Sequence, residues 1–514
     1  MIDRLDIKYG RILPLNHTSS KPYSRKQVAE WSESLNSSNL MLKKIEKFQL
    51  EWLLNDNSEW LDSTISKSKR KPVLKYFYRE PANLFHVRLK NDFFVFKINP
   101  IFDLSVGYEA GEKFLFRNTR GVEFRASIKK RVSIYFSLWE NQSLDPLYVR
   151  NRVTKEQAVP GFGYWKEYRT RGYDFFDYRG YITVNALKHV DITFGHDKHF
   201  IGDGYRSLLL SDNSAPYFFL RLNTRIWKFN YQNIFAELTG QYDRGGDRLL
   251  DKKYAAFHHL SVSPFYWWDI GVFEGVIMTR KNQFDIQYLN PIIFYRSIEQ
   301  SLGSPDNAFI GFNTKFNFLR HGQLYGQFMI DEFKFKEVFS SKGWWANKWG
   351  MQLGAKYIDV ANVKNLDLQM EFNMVRPYTY THNSSNGRQI ANYTHYNQQL
   401  AHPFGANFWE ILGILKYQPI PQLQLQTRFF YSKVGLDTTD TYWGADIFQS
   451  NTDRTVEQVY GNKLTQGYTN TFSSFSLMAT YQLRHNLFFD LQYLYRSQRT
   501  PNIVTGKQIG RAHV

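Results

Sequence analysis

The densest run of groups able to do chemistry is Gly195-His196-Asp197-Lys198-His199-Phe200-Ile201-Gly202-Asp203-Gly204-Tyr205-Arg206, which continues through Ser211-Asp212-Asn213 to Pro216. Charged hydrogen-bonding groups at Asp197, Lys198, Asp203 and Arg206 suit the hydroxyls of a sugar, or one another. Glycines at 195, 202 and 204 permit backbone angles that other residues resist, so this loop can fold tightly over a lumen or a ligand. Two readings compete. In one, His196, Asp197, Lys198, Asp203, Tyr205, Arg206, Asp212 and Asn213 contact a ligand directly. In the other, an inward-folded loop has charges that satisfy each other.

Other chemistries fit less well. His196 and His199 flank Asp197, but no third ligand is suitably spaced for a metal, and the segment lacks a helical pattern. Ser207 and Ser211 sit near His196 and Asp203 without the G-x-S-x-G spacing of a serine hydrolase. Carboxylate pairs for glycoside hydrolysis arise cheaply by chance among 47 acidic residues. Trp267-Trp268, Trp344-Trp345 and Trp409 could stack on sugar rings or sit in aromatic girdles at a membrane interface. No catalytic residue, cofactor or metal is expected.

The elements around these residues read as strands. Asn365-Leu-Asp-Leu-Gln-Met-Glu-Phe-Asn-Met-Val375 alternates strictly, which puts Leu366, Leu368, Met370, Phe372 and Met374 on one face and Asn365, Asp367, Gln369, Glu371 and Asn373 on the other. Similar runs near 84–91, 93–109, 114–127, 129–140, 180–189, 190–196, 217–226, 227–238, 254–264, 266–278, 306–318, 322–332, 349–359, 365–375, 407–418, 422–433, 470–483 and 486–497 predict about 18 strands in an all-β, antiparallel transmembrane barrel. Short links such as Asn91-Asp92 and Arg320-His321-Gly322 alternate with long ones at 141–179, 197–216, 279–305, 376–406 and 434–469. That asymmetry is usual for outer-membrane barrels, whose long loops face outward. Gln422-Leu-Gln-Leu-Gln-Thr-Arg428 implies a polar lumen, either hydrated or plugged by loops.

Composition agrees. Aromatics make up 18% of the chain, enough for girdles, while mean hydropathy is only −0.48 because half of each strand is polar. No apolar run is long enough for a transmembrane helix. The absence of cysteine removes disulfides and thiolate sites. The net charge of +18 points to anionic partners. Because the basic residues are scattered through the strands, lipid headgroups, lipopolysaccharide or acidic polysaccharide suit it better than nucleic acid.

Residues 1–82 differ from the barrel region 83–500. Ser24 and Gln27 have capping-box spacing before a helical stretch to Asn36, and Asn39 to Asn55 places Leu40, Ile45, Phe48, Trp52 and Leu53 near one side of a second helix. Together they predict a small helical cap or plug, followed by a basic run, Lys67-Ser68-Lys69-Arg70-Lys71. The start lacks a signal peptide's apolar core, so an exported protein's true start is expected upstream. In the 501–514 tail, Ile509-Gly-Arg-Ala-His-Val514 is what ATCGGAAGAGCACACGTC encodes, a string that matches read-through into a sequencing adapter. Resequencing intact genomic DNA tests this: the six codons should be absent.

The chain resembles the Wzi-like capsule-assembly family of outer-membrane barrels, and within it the gliding-motility, RemB-like branch. The resemblance rests on Gly195 to Tyr217, Asn118-Thr119-Arg120-Gly121 with Glu140-Asn141-Gln142, Tyr288 to Pro291 with Glu299 to Asn307, His402-Pro403-Phe404-Gly405, and Lys21 to Arg25. It implies an 18-strand barrel with a small helical domain in the cell outer membrane. It further implies a non-enzymatic, lectin-like protein that holds capsular or other exported polysaccharide, serves surface motility in that branch, and meets export or motility machinery. A transport pore is the alternative, and an outer-membrane hydrolase a further one.

Overall fold

The computed structural model describes residues 1–500 except 14, 62–75, 90–92, 112, 241–243, 246–248, 293, 304–305, 333, 339, 341, 384–390 and 439. The basic run Lys67–Lys71, the Asn91-Asp92 turn and the 501–514 tail lie outside the described residues. Twenty strands, from Phe77–Glu80 to Leu487–Arg499, form one large antiparallel sheet in which wall neighbours follow chain order. Two of them, Phe77–Glu80 and Lys166–Tyr168, are short pieces of four and three residues that account for the excess over the expected 18. No described helix is long and apolar enough to cross a membrane.

The alternation places side chains as its period requires. In strand Leu366–Val375, Met370 is more than half exposed on the outer face. On the inner face, Asp367 pairs with Arg4, Gln369 donates to the Tyr325 hydroxyl at 2.8 Å, and Asn373 donates to Glu371 at 2.9 Å. The predicted 141–179 connection is largely structured. Strand Val132–Leu144 runs on, helix Leu147–Glu156 follows, then the short strand Lys166–Tyr168, and the next long strand begins at Gly172. Its alternation is masked at Phe175-Phe176, where one ring packs with Val153 and Trp165 and the next faces outward.

Three helices, α1 (Ile2–Tyr9), α2 (Arg25–Ser37) and α3 (Lys44–Asp56), share an apolar cluster of Leu5, Val28, Trp31, Leu35, Leu50 and Leu53. Ser24 caps α2 by accepting from the Gln27 N–H at 3.4 Å. The second helix starts at Lys44 rather than Asn39, because the Glu46 carboxylate accepts from the Lys43 N–H at 2.8 Å and fixes the first turn there. Helix α1 was not expected from the sequence. Its Arg4 reaches Asp359 at 2.5 Å and also Asp367, and Asp3 meets Lys356 at 2.7 Å.

These helices and the residues after them contact the short-turn rim. Glu59, just past α3, pairs with Lys97 at 2.7 Å near the start of the wall, while Trp52 stacks on His485, in the last hairpin turn, at 5.2 Å. One short segment thus grips both ends of the sheet and holds it curled. Burial pushes the Glu59 carboxyl up, but Lys97, Arg25 and Arg125 overcome this and hold it down at about 2. Because that value lies below the ordinary one, the stabilisation is full above about pH 4.5 and is lost as pH falls towards 2. Acidification over this window should expose Trp52 and Trp60 to an aqueous quencher before the wall unfolds. The variant Arg4→Ala, which strands two carboxylates, should loosen the cap by about 3 kcal/mol already at neutral pH.

Candidate functional site

Between strands Val190–Asp197 and Tyr217–Ile226 the chain leaves the wall and enters the interior. There Phe200–Ile201 pairs with Ser20–Lys21, which ties the segment to the N-terminal region. Gly202 has φ +143°, and a Cβ on it would come within 2.3 Å of the Gln327 amide. A Cβ on Gly204 would meet the Glu371 carboxylate at 2.6 Å. Glycine here allows the backbone to lie directly against wall side chains.

Inward-pointing residues of the wall grip this loop. The Glu371 carboxylate accepts from the Tyr205 and Arg206 N–H groups at 2.7 and 3.1 Å. Gln327 accepts from the Leu208 N–H at 2.8 Å and donates to the Ile201 carbonyl at 2.8 Å, and Gln352 donates to the Arg206 carbonyl at 2.9 Å. The Arg206 guanidinium makes two bonds to Glu410, both of 3.2 Å, and His402 approaches the same carboxylate at 2.9 Å. Burial works against the Arg206 charge, but Glu410 outweighs it and keeps the guanidinium ionised.

Leu208, Leu209 and Leu210 then pack with Phe257, Phe309, Tyr380 and Tyr393 in an apolar core inside the wall. Tyr380 donates to the Leu208 carbonyl at 2.7 Å and Tyr393 to the Leu209 carbonyl at 2.6 Å, so the 376–406 connection closes over the first loop. Of the two expectations for the lumen, hydrated or plugged by loops, the second describes this region, and the plug has an apolar centre in its long-loop half. Alternation in single strands does not reveal this, since Ile234, Ala236 and Leu238 face inward where the expectation put polar residues.

The eight residues singled out in the sequence are separated by this folding. His196 is on the outer face, stacked on Tyr178 at 4.5 Å. His199 lies inside, against the Tyr217 hydroxyl at 3.3 Å, so the two histidines share no site. Asp197 accepts from the Lys198 N–H at 2.8 Å, and Asp203 from the Thr18 hydroxyl at 2.7 Å. Lys198 donates to the Asp212 carbonyl at 3.2 Å, and burial brings its ammonium down to about 8. Asn213 donates to the Gln399 carbonyl at 3.0 Å. Ser207 and Ser211 are buried and donate to the carbonyls of Ile201 and Ala401, each at 2.5 Å, which commits both hydroxyls to structure. Asp212 is exposed, and Tyr205 is 37% exposed.

Around Tyr205 the structure assembles Arg206 and two partners that were not among the eight residues, Phe430 and Arg428. Phe430 lies 5.7 Å from its ring, and the guanidinium carbons of Arg206 and Arg428 lie 5.2 and 5.9 Å from it. Arg428 donates to Gln426 at 2.7 Å and has no carboxylate partner among the described residues. The signal for Arg428 was its inward position in the Gln422–Arg428 alternation. The tryptophans divide too. Trp267 and Trp268 stack with Phe265 and Phe316 at the short-turn rim, where a girdle belongs, whereas Trp344 and Trp345 lie on a long-loop connection beside Lys334 and Arg454.

Replacing Glu371 by Ala leaves the Tyr205 and Arg206 N–H groups without their acceptor, at a cost of about 1–3 kcal/mol each. In planar bilayers the unaltered protein should be silent and Glu371→Ala should show flickering conductance, with Glu371→Gln intermediate. Stable conductance from the unaltered protein would contradict the filled interior.

The chain matches the family described as capsule assembly protein Wzi over residues 96–510. Comparison with curated proteins finds no match. Among solved structures the chain is similar to Wzi of Escherichia coli, an outer-membrane protein involved in group 1 capsule assembly and described as a carbohydrate-binding β-barrel. Identity is 13% and the TM-score 0.54, over 97% of this chain and 93% of that one. It is less similar to Acinetobacter baumannii OccAB2, at 8% identity and TM-score 0.40 over 80% and 92% of the two chains. Pseudomonas aeruginosa OprD gives 12% identity and TM-score 0.40 over 79% and 88%. The likeness to the Escherichia coli barrel is one of fold, and the family match spans most of the sequence. This chain belongs to the Wzi capsule-assembly family.

Proposed function

We propose that this protein is an outer-membrane β-barrel that binds acidic capsular or exported polysaccharide without catalysing a reaction. In this reading the wall closes between its first and last strands, the long loops face the cell exterior, and the helices of residues 1–82 cap the periplasmic rim. Family membership and the carbohydrate-binding description of the Escherichia coli relative support it. The observation that carries it is the half-open Tyr205 ring between Phe430 and the Arg206 and Arg428 guanidiniums. An aromatic face packs against the apolar face of a sugar ring, and an arginine without a carboxylate offers a bidentate site for a uronate or phosphate.

The roles of the eight residues follow from their partners. Tyr205, with Arg428, is the contact surface, and Lys198 and Asp212 sit at the exposed end of the same segment. Asp203, Arg206 and Asn213 hold the loop in place through Thr18, Glu410 and Gln399. His196 anchors its start in the wall through the Tyr178 carbonyl at 2.9 Å, and Asp197 fixes the turn that follows by accepting from the adjacent Lys198 N–H. The competing pore reading is disfavoured by the apolar core across the lumen. Service in gliding motility, with export or motility machinery as partners, is a narrower reading that rests on the sequence resemblance alone.

On an array of acidic and neutral polysaccharides, the detergent-solubilised protein should retain acidic chains. Arg428→Ala and Tyr205→Ala should each cut that retention about tenfold, as expected for losing one charge-assisted or stacking contact of about 1.5 kcal/mol. Asp212→Ala should have a smaller effect. Retention unchanged in both variants, or absent in the unaltered protein, would end the proposal.

A further inference from the structure

One long connection goes to the opposite side of the wall from all the others described above. On the strands from Tyr217 to Phe318, one set of alternate side chains, including Ile234, Ala236, Ala255, Phe257, Phe273 and Ile277, joins the interior core. The other set, Phe235, Ala256 and Val276, forms a separate cluster with Tyr288, Tyr295 and Ile298 of the 278–306 connection. That connection is therefore folded back along the outer face of the sheet. Nearby on the same face, Leu260, Ile310 and Phe312 are exposed, as a lipid-facing wall requires.

The outer face carries polar groups here that acyl chains could not tolerate bare. His258 and Glu274 are buried and stand opposite each other in register, 3.6 Å apart, with Asn233 beside His258 on the next strand. The connection covers all three. The Tyr295 ring stacks on His258 at 3.8 Å, the Arg296 N–H donates to Glu274 at 3.1 Å, and the Pro291 carbonyl accepts from Tyr231 at 2.5 Å and Asn233 at 3.5 Å. Tyr231 is only two residues from the short-turn end of its strand, so the tip descends along most of the wall.

The tip's own exposed side is mostly apolar, Gln287 being its exposed polar residue. Ile286, Ile292 and Phe294 are each more than two-thirds exposed, and Leu289 is partly so. Several of its backbone groups are satisfied from within, as irregular chain needs if it is to lie in hydrocarbon. Pro291 has no N–H, the Ile292 N–H donates to the Asn290 side chain at 3.0 Å, and the Phe294 carbonyl accepts from Ser297 and Ile298 at 3.0 and 3.4 Å. Above the tip, in helix Tyr295–Ser301, the exposed positions become polar, with Arg296, Ser297 and Gln300.

We infer that residues 286–292, with Phe294, form a lipid-inserted tip: a fold-back of an outer loop that shields Asn233, His258 and Glu274 and presents Ile286, Leu289, Ile292 and Phe294 to acyl chains. This inference rests on the membrane placement proposed above. Because the chain contains no cysteine, Ile292→Cys labels at one site. We would attach an environment-sensitive fluorophore there, reconstitute the full chain in phosphatidylcholine vesicles, and compare quenching by acyl-chain nitroxide with quenching by iodide. Phe312→Cys on the wall and Asp212→Cys on an outer loop serve as references, and Ile286→Cys is a second probe of the tip. Positions 292 and 286 should follow 312, with strong acyl and weak iodide quenching. If 312 is quenched by lipid while 292 and 286 follow 212, the tip is not inserted although the barrel is. If 312 also fails, membrane placement itself is wrong and the inference falls with it. Energy transfer between labels at 292 in sparsely loaded vesicles would assign the patch to a second copy and overturn a lipid role.

Discussion

The carboxylate of Glu371 is the constraint around which the interior is organised. It lies on an inward position of the wall, almost fully buried, and takes the N–H groups of Tyr205 and Arg206 together with the Tyr325 hydroxyl at 2.8 Å. A buried carboxylate must be compensated, and a loop dipping into a lumen must find acceptors for its amides. Each need answers the other. Once Tyr205 and Arg206 are fixed, Arg206 reaches Glu410, the three leucines at 208–210 fall into the interior core, and the 376–406 connection can close over them. The exposed part of the Tyr205 ring, which the functional reading uses, is oriented by the same bonds.

Two further sets of polar contacts surround that centre. At the short-turn rim, ion pairs from α1 and from the residues after α3 reach strands far apart in sequence, among them Lys97, Lys356 and Asp367. Lys315 joins them by bridging Asp6 at 3.2 Å and Asp269 at 2.9 Å. Individually such pairs gain little over their desolvation cost, but they fix which part of the cap meets which strand. On the outer face, the 278–306 connection performs the converse task of hiding Asn233, His258 and Glu274 from lipid. A wall described simply as apolar outside and polar inside would misplace both the core at Leu208–Leu210 and the acid at Glu274.

The strands themselves were legible in the sequence, because a period of two sustained over ten or more residues matches a two-faced strand and does not match a helix. Leu366–Val375 agrees with the expected 365–375 to within a residue, and Ser24 marked the start of α2 correctly. The 195–217 segment was also visible as exceptional. Its outcome combines the two readings: most of its polar groups are satisfied by the protein, yet chiefly by wall residues such as Glu371, Gln327 and Glu410 rather than by each other. Those partners stand 119 to 204 residues away, so no local pattern could pair them. Arg428 was legible as inward-facing, but its meeting with Tyr205, and that of Phe430, were hidden for the same reason. Helix α1 went unread because its burial depends on Asp359 and Asp367, far along the chain.

Amide hydrogen exchange of residues 203–211 in the detergent-solubilised protein tests the central claim most directly. If wall carboxylates and amides hold this loop as a fixed plug, the Tyr205, Arg206 and Leu208 amides should exchange as slowly as those of strand Leu366–Val375, since opening them requires breaking the wall's own contacts. Exchange of these amides as fast as in an exposed long loop would show that the segment is free in the lumen, and the account built on Glu371 would be wrong.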